Sequence, residues 1–189
     1  EQKEDKDDRY YFRELYFALL DKDTTKFDEL KKEVLEKYKA DEISALEWQA
    51  KILSLESLLA QKDVLHDLKE LQKRKSENSV VAYYIGQEYE KYRNYGQAIN
   101  EYLKSAEHES KVGDRFHKLH AAALAYVKKE KKDEAVNILL KEFSEKVSDD
   151  EKRLLYQYVA DVGKAMEDDE LFTAFAEKAL ALNFQTFFF

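Results

Sequence analysis

Two histidines, His117 and His120, occupy the first and last positions of the segment HKLH. On a helix this spacing places both imidazoles on one face, as a pair of metal ligands requires. Asp114 or Glu107 would be the nearest third ligand, but nothing in the spacing requires either residue to join the pair. The sequence therefore predicts no metal site. It predicts instead that both histidines lie on a surface, where their charge would change near the ordinary histidine pKa of about 6.5.

No catalytic motif accompanies these histidines. A glycine-rich phosphate loop and the HExxH, GxSxG and EF-hand patterns are all absent from the sequence. The carboxylates occur in runs mixed with lysines, such as KKEKKDE at 128–134, which are typical of solvated helix faces with ion pairs. We therefore predict a protein that is not an enzyme and has no cofactor. An active site assembled from scattered carboxylates is the alternative that the sequence leaves open.

The composition narrows the class of protein further. The 189 residues carry a formal net charge of −8, and basic residues alternate with acidic ones instead of forming a basic patch, so we expect no direct binding of nucleic acid. The chain has no cysteine, which excludes disulfides, thiolate metal sites and cysteine nucleophiles. No apolar run approaches the roughly 18 residues of a membrane span. We expect a cytoplasmic protein that does not contact a membrane.

Helix formers dominate the chain, which has no proline and only 4 glycines, and this predicts an all-α fold. Apolar residues recur at helical spacing almost from end to end, interrupted by short polar segments. These segments hold N-cap candidates, Asp23 or Thr24 for the second helix and Ser148 or Asp149 for the ninth, and the third helix is expected to start near Asp41. The pattern predicts ten helices in five antiparallel pairs. The later pairs are expected near 79–92 and 95–109, then 115–129 and 132–146.

The pattern also repeats at a fixed distance. Small residues stand in the first helix of successive pairs at Gly86, Ala123 and Ala160, with separations 123 − 86 = 37 and 160 − 123 = 37. In the second helices, the position equivalent to Ala98 is occupied by Ala135, again 37 residues later. Such a period is typical of helical repeats, in which small residues allow two helices to cross closely.

The repeated residues resemble the tetratricopeptide repeat (TPR) family. The best unit contains Ile85-Gly86, Tyr89, Ala98, Tyr102 and Ser105, and a second contains Leu119, Ala122-Ala123, Tyr126, Ala135 and Leu139. A third unit departs from the family pattern by having Gly163 in place of tyrosine and Phe172 in place of alanine. The resemblance implies a right-handed superhelical α-solenoid of about five antiparallel helix pairs. It suggests four segments: a charged disordered segment at 1–8, a degenerate helical-repeat half at 9–78, TPR-like repeats at 79–182, and an aromatic tail at 183–189.

The resemblance also implies a function, because the first helices of TPR units line a concave groove. We therefore predict a non-enzymatic scaffold or adaptor that binds a peptide or a partner protein there, through Tyr83, Gln87, Glu90, His117, His120 and Leu124. Family members that clamp a peptide end use Lys, Asn and Arg in the groove. Here the matching places hold Tyr83, Gln87, His120 and Leu124, a departure that argues against recognition of an acidic C-terminus.

The aromatic tail supports a rival hypothesis. Phe184, Phe187, Phe188 and Phe189 must bury against something: the last helix of the chain, another subunit or a partner, or the rest of a longer protein from which this chain is cut. The protein would then be a structural subunit that forms a homo-oligomer through its tail. Another alternative is the regulatory domain of a bacterial peptide-responsive regulator whose DNA-binding or output domain lies elsewhere, because the linker at 106–114 is similar to linkers in such receptors.

Overall fold

The computed structural model describes residues 7–144 and 146–185, with side chains as far as residue 182. The regular secondary structure of this part of the chain is helical throughout, with no strand. Its helices are α1 (Asp8–Leu20), α2 (Thr24–Lys37), α3 (Glu42–Ala60), α4 (Leu65–Arg74), α5 (Ser79–Lys91), α6 (Tyr95–Glu107), α7 (Val112–Lys128), α8 (Lys132–Leu140), α9 (Asp149–Ala165) and α10 (Asp169–Gln185). The predicted ten helices are confirmed over the described ranges. None of them is long and apolar enough to cross a membrane.

Side-chain caps begin several helices where the sequence predicts them. The Asp23 carboxylate accepts a hydrogen bond from the Lys26 backbone N–H at 2.9 Å, and Asp41 accepts from two backbone N–H groups at the start of α3. Ser148 and Glu151 form a reciprocal capping box at the start of α9. These bonds satisfy backbone donors that a helix leaves unpaired in its first turn.

The 37-residue period is visible in the backbone of the turns between paired helices. Arg93, Glu130 and Glu167 are 37 residues apart, and all three adopt the left-handed conformation, with φ of 57°, 60° and 58°. In each turn the next backbone N–H donates to a carbonyl five residues earlier: Asn94 to Tyr89, Lys131 to Tyr126 and Asp168 to Gly163. This is the bonding that closes a helix with a left-handed residue, and it shows that the sequence register is also a structural one.

The chain divides into two compact units, Glu1–Ile85 and Gly86–Phe189, with the boundary inside α5. In the first unit α1 packs on α2 and α3, and α3 also packs on α4. Trp48 is fully buried in this core, stacked on Tyr38 at 6.2 Å between ring centroids and edge-on to Tyr11 at 6.1 Å. Aromatic residues of α1, of α3 and of the end of α2 therefore hold the first helices together.

A buried carboxylate links three segments of the first unit. Glu56 on α3 is only 8% exposed, and it accepts hydrogen bonds from Lys31 of α2 at 3.0 Å and from Lys62, which follows α3, at 2.6 Å. Burial raises the pKa of Glu56, but the two lysines outweigh this and leave the pKa below its ordinary value.

In the second unit α7 packs against α6, α8 and α9, and α9 packs against α8 and α10. This central position explains why α7 contributes small buried residues, since Ala122, Ala123 and Ala125 are all fully buried. The core is completed by further buried residues of α7 and its neighbours, including Ala106, Phe116, Leu119, Leu139, Leu155, Val159, Val162 and Met166. The first helices of successive pairs, α7 and α9, consequently lie side by side.

Two glycines mark close approaches within the second unit. A Cβ at Gly86 would lie 2.6 Å from the Tyr102 ring, so the predicted small position at Gly86 is confirmed and the ring fills the space. A Cβ at Gly163 would lie 2.8 Å from the backbone nitrogen of Phe172. The departure of Gly163 from the TPR pattern therefore has a physical reason, because the backbone of α10 occupies the space of a side chain there.

Among the four helix ranges given for the later pairs, two boundaries differ from the prediction by three residues or more. Helix α7 begins at Val112 and not near 115, and α8 ends early. The pattern predicts a helix over 132–146, but α8 ends at Leu140. The chain then turns, and the Phe143 ring stacks on Tyr156 of α9 at 4.8 Å while Glu142 accepts a hydrogen bond from Arg115 of α7 at 2.8 Å. The prediction was wrong because apolar spacing alone does not reveal that Phe143 packs outside the helix.

Candidate partner-binding face of α7 and α9

One side of α7 carries Asp114, His117 and His120 at successive intervals of three residues, which keeps them on neighbouring parts of the helix surface. Tyr158 and Asp161, also three residues apart, lie on the adjacent helix α9. Contacts between the two helices join the two sets. We call these five residues the α7–α9 face.

His120 is the most constrained of the five. Its imidazole stacks on the Tyr158 ring, with centroids 4.2 Å apart and ring planes inclined by 13°. The Nε2 atom is buried and has no hydrogen-bond partner among the described residues, and the nearest carboxylate oxygen, on Asp161, is 3.8 Å away. Burial lowers the pKa of His120 to about 4, although Asp161 acts in the opposite direction. His120 is therefore neutral at pH 7.

His117 lies beside the stacked rings of His120 and Tyr158. Its ring centroid is 6.4 Å from that of Tyr158, and the residue is more exposed than His120. Partial desolvation of the imidazole and the nearby Lys118 lower the pKa of His117, while Asp114 raises it by a smaller amount. Both imidazoles are thus held toward the uncharged form at neutral pH.

The positive charges of α7 closest to this face are engaged elsewhere. Lys118 is buried and forms an ion pair with Glu109, which precedes α7. Arg115 pairs with Glu142 at 2.8 Å. Neither of these ion pairs involves a carboxylate of the α7–α9 face.

The two carboxylates of the face are open to solvent. Asp161 has a side-chain exposure of 59%, and Asp114 is also exposed. In the described part of the chain, no lysine or arginine forms an ion pair with either of them. Partial burial raises the pKa of the Tyr158 phenol, and Asp161 and Asp114 raise it further. The α7–α9 face therefore combines an aromatic centre with two negative charges.

The structure brings together only some of the predicted groove residues. His117 and His120 meet around Tyr158, and Leu124, one turn further along α7, is half-buried against the core of the second unit. Gln87 is half-buried on α5. Tyr83 belongs to the first unit, where its ring lies edge-on to Tyr84 at 5.7 Å.

Glu90 contacts residues of two other helices. One of its oxygens accepts a hydrogen bond from the Tyr102 hydroxyl at 2.7 Å, and the other pairs with Lys128 of α7. The carboxylate thus ties α5 to α6 and α7. Its assignment as a partner-binding residue stays a prediction, as do those of the other groove residues.

Tyr158 and Asp161 are absent from the predicted groove, although the 37-residue register contains the signal. Counting 37 residues forward from the groove position Leu124 gives Asp161, and the same step from Ala121, which neighbours His120, gives Tyr158. Extending the groove positions by one repeat would therefore have found Asp161 but not Tyr158, because Ala121 is not one of the predicted groove positions.

Two other predictions concern metals and the tail. Within the described ranges, no group of three or more His, Cys, Asp or Glu residues is placed to hold a metal ion. The side chain of Phe184 and all of Phe187, Phe188 and Phe189 lie outside what the structure describes, as do residues 1–6. Predictions about the tail and the first residues therefore stay predictions.

No protein-family model matches this chain, and no curated protein matches it. Among solved structures, it is similar to the nearly identical TPR-like repeats of a Podosopora anserina protein designated a kinesin light chain. That match has a TM-score of 0.63 at 15% identity and covers 94% of this chain and 95% of the other. A mutant of MamA matches with a TM-score of 0.50 at 16% identity, over 92% of this chain and 96% of MamA. These similarities confirm the predicted TPR-like helical-repeat fold.

Proposed function

We propose that this TPR-like chain is a non-enzymatic protein-interaction scaffold that binds an extended segment of a partner on the α7–α9 face. The observation that carries the proposal is the platform formed by His120 and Tyr158, flanked by two solvent-exposed carboxylates that no described lysine or arginine neutralises. Helical repeats use such side-by-side helices as extended binding surfaces.

The chemistry of the face suits binding. Tyrosine supplies a large contact area at low entropic cost, with a hydroxyl that can bond to main-chain groups. The stacked imidazole holds Tyr158 from one side, so little ordering of this ring remains when a partner arrives. Tyr158 is half-buried, which leaves part of its surface for a partner.

The same face is poorly suited to acid–base catalysis at neutral pH. A general base works best when its pKa lies near the working pH, whereas burial lowers the pKa of His120 to about 4. In addition, the Nε2 atom of His120 is buried, so a substrate proton would not reach it without rearrangement. Both points support a binding role.

The proposal can be tested by probing the full chain with an array of extended synthetic peptides of varied sequence. Peptides that bind wild type should lose affinity for Tyr158→Ala, by about 1 kcal/mol or more for a central aromatic anchor. Tyr92→Ala is the matched control, because Tyr92 is 49% exposed in the turn after α5. Far-UV circular dichroism should show that both variants remain helical.

Two outcomes would contradict the proposal. One is that no peptide in the array binds the chain. The other is that every peptide that binds wild type binds Tyr158→Ala and Tyr92→Ala equally well. Tyr158→Phe adds a second readout, since it keeps the ring and should retain most of the affinity even if Tyr158→Ala loses helical content.

A further inference from the structure

We infer that the segment bound by the α7–α9 face is basic, with an arginine or lysine side chain lying against Tyr158 and forming ion pairs with Asp161 and Asp114. This inference rests on the proposed function and specifies the chemistry of the partner. It follows from the charge of the face, from the aromatic ring at its centre and from the ion pairs that the neighbouring cations already form with other carboxylates.

The sign of the face follows from its charged groups. Asp161 and Asp114 both contribute to the electrostatic environment of the Tyr158 phenol, so both carboxylates lie near this ring. Both are exposed, and neither pairs with a lysine or arginine among the residues that the structure describes. A cation from a partner would therefore meet two carboxylates without displacing an existing ion pair.

The remaining groups do not cancel this negative charge. The ion pairs of Lys118 with Glu109 and of Arg115 with Glu142 neutralise the adjacent cations of α7. Burial keeps His120 uncharged at pH 7. Lys164 lies three residues beyond Asp161 on α9, exposed and without a described ion pair to it, so it reduces the negative charge only at the end of the face.

The centre of the face favours a cation over a neutral polar group. Cations bind the face of a tyrosine ring through its quadrupole, and arginine can also stack on the ring and bond a carboxylate through two N–H groups. The Tyr158 ring stacks on His120 of α7, and Asp161 lies three residues further along α9 and acts on the Tyr158 phenol, so both interactions are available to one side chain. An acidic segment would instead bring a third negative charge beside two unpaired carboxylates.

The test uses three extended peptides with acetylated and amidated ends. They share a glycine–serine backbone and carry two arginines, two glutamines or two glutamates at the same positions. Each is labelled and titrated with the full chain at low salt by fluorescence anisotropy. The arginine peptide should bind about tenfold or more tightly than the glutamate peptide, because like charges oppose docking.

Variants then locate the interaction. Tyr158→Ala should weaken binding of the arginine peptide by about 2- to 30-fold, the range expected for a cation–π contact. Asp161→Asn should weaken it by about 2- to 5-fold, as for a partly exposed ion pair. The control is Glu29→Gln, which removes the same charge from an exposed position of α2 in the other unit and should have little effect. Lys164→Gln should strengthen binding.

The outcomes separate this inference from the function on which it rests. If the glutamine or glutamate peptide binds as tightly as the arginine peptide and also depends on Tyr158, the inference is overturned while the proposed function stands. If Asp161→Asn and Glu29→Gln weaken the arginine peptide equally, the attraction comes from net charge alone and the inference fails. If none of the peptides depends on Tyr158, the inference fails, and the peptide array decides the proposed function separately.

Discussion

Replacing Gly163 with alanine should destabilise the second unit, although alanine is the better helix former. A Cβ added at Gly163 would lie 2.8 Å from the backbone nitrogen of Phe172 and 3.2 Å from its Cα. These are backbone atoms of α10, so no side chain can rotate to make room. The Asp168 backbone N–H also donates to the Gly163 carbonyl at 2.9 Å, which ties the start of α10 to α9.

Two opposing contributions set the change in the free energy of unfolding that Gly163→Ala should cause. Alanine gains about 1 kcal/mol over glycine in a helix interior, and overpacking of a tight contact costs about 1–3 kcal/mol. Because the contact at Gly163 involves backbone, we expect the upper part of that range and a net loss of about 1–2 kcal/mol. At Gly113, near the start of α7, a new Cβ would meet only the Leu154 side chain at 4.0 Å. Gly113→Ala should therefore be neutral or slightly stabilising.

Urea unfolding followed by far-UV circular dichroism measures both variants. With a slope of about 2 kcal/mol per M, the midpoint of Gly163→Ala should fall by about 0.5–1 M relative to wild type. Tryptophan fluorescence is unsuitable as a local probe, because Trp48 belongs to the first unit. A midpoint for Gly163→Ala equal to or above that of Gly113→Ala would refute the close approach of α9 and α10.

Three further predictions concern pH, a turn and a buried carboxylate. His120 in the unfolded chain binds a proton near pH 6.5, whereas in the folded chain it does so only near pH 4. The free energy of unfolding of wild type should therefore fall as the pH is lowered between these values, by up to about 3 kcal/mol more than that of His120→Phe. Parallel urea titrations of the two proteins measure this difference. Glu130→Gly should raise the thermal midpoint of unfolding, because the left-handed conformation costs a residue with a Cβ about 1 kcal/mol that glycine does not incur. An unchanged or lower midpoint would contradict that conformation. Glu56→Ala should lower the free energy of urea unfolding by about 1–2 kcal/mol, because two partly exposed lysines lose their shared partner. The loss should be smaller in 1 M salt, which screens the ion pairs, and a loss that does not depend on salt would argue against them.

Local features account for the parts of the fold that the sequence predicts. N-cap residues such as Asp23, Asp41 and Ser148 act on backbone groups only two or three positions away, so their role can be inferred from neighbouring residues. The 37-residue register is likewise a property of the chain itself, and it reappears in the turns at Arg93, Glu130 and Glu167.

The early end of α8 was not predictable in this way. Phe143 continues the apolar spacing of the helix, yet its ring stacks on Tyr156 of α9. Helical spacing identifies which residues are apolar but not which neighbour each will contact. Only the position of α9 shows that Phe143 contacts Tyr156 from beyond the end of α8.

The candidate site shows the same division. The spacing of His117 and His120 predicts that they share a face of one helix, and the structure places both beside Tyr158. The sequence predicts a pH-sensitive surface histidine, whereas the structure buries His120 and lowers its pKa to about 4. Solvation depends on which ring covers the imidazole, and that ring comes from another helix.

The sequence by itself determined the helical class, the repeat period and the small positions at which helices approach, because these depend on intrinsic propensity and on spacing along one chain. Tertiary structure alone decided that Tyr158 covers His120, that Glu90 is held by Tyr102 and Lys128, and that Asp161 stays without a lysine or arginine partner in the described part of the chain. These contacts join residues from different helices, and their burial and charge depend on how the helices pack. The partner chemistry that we infer for the α7–α9 face therefore rests on packing, while the architecture that supports the face is already present in the repeat.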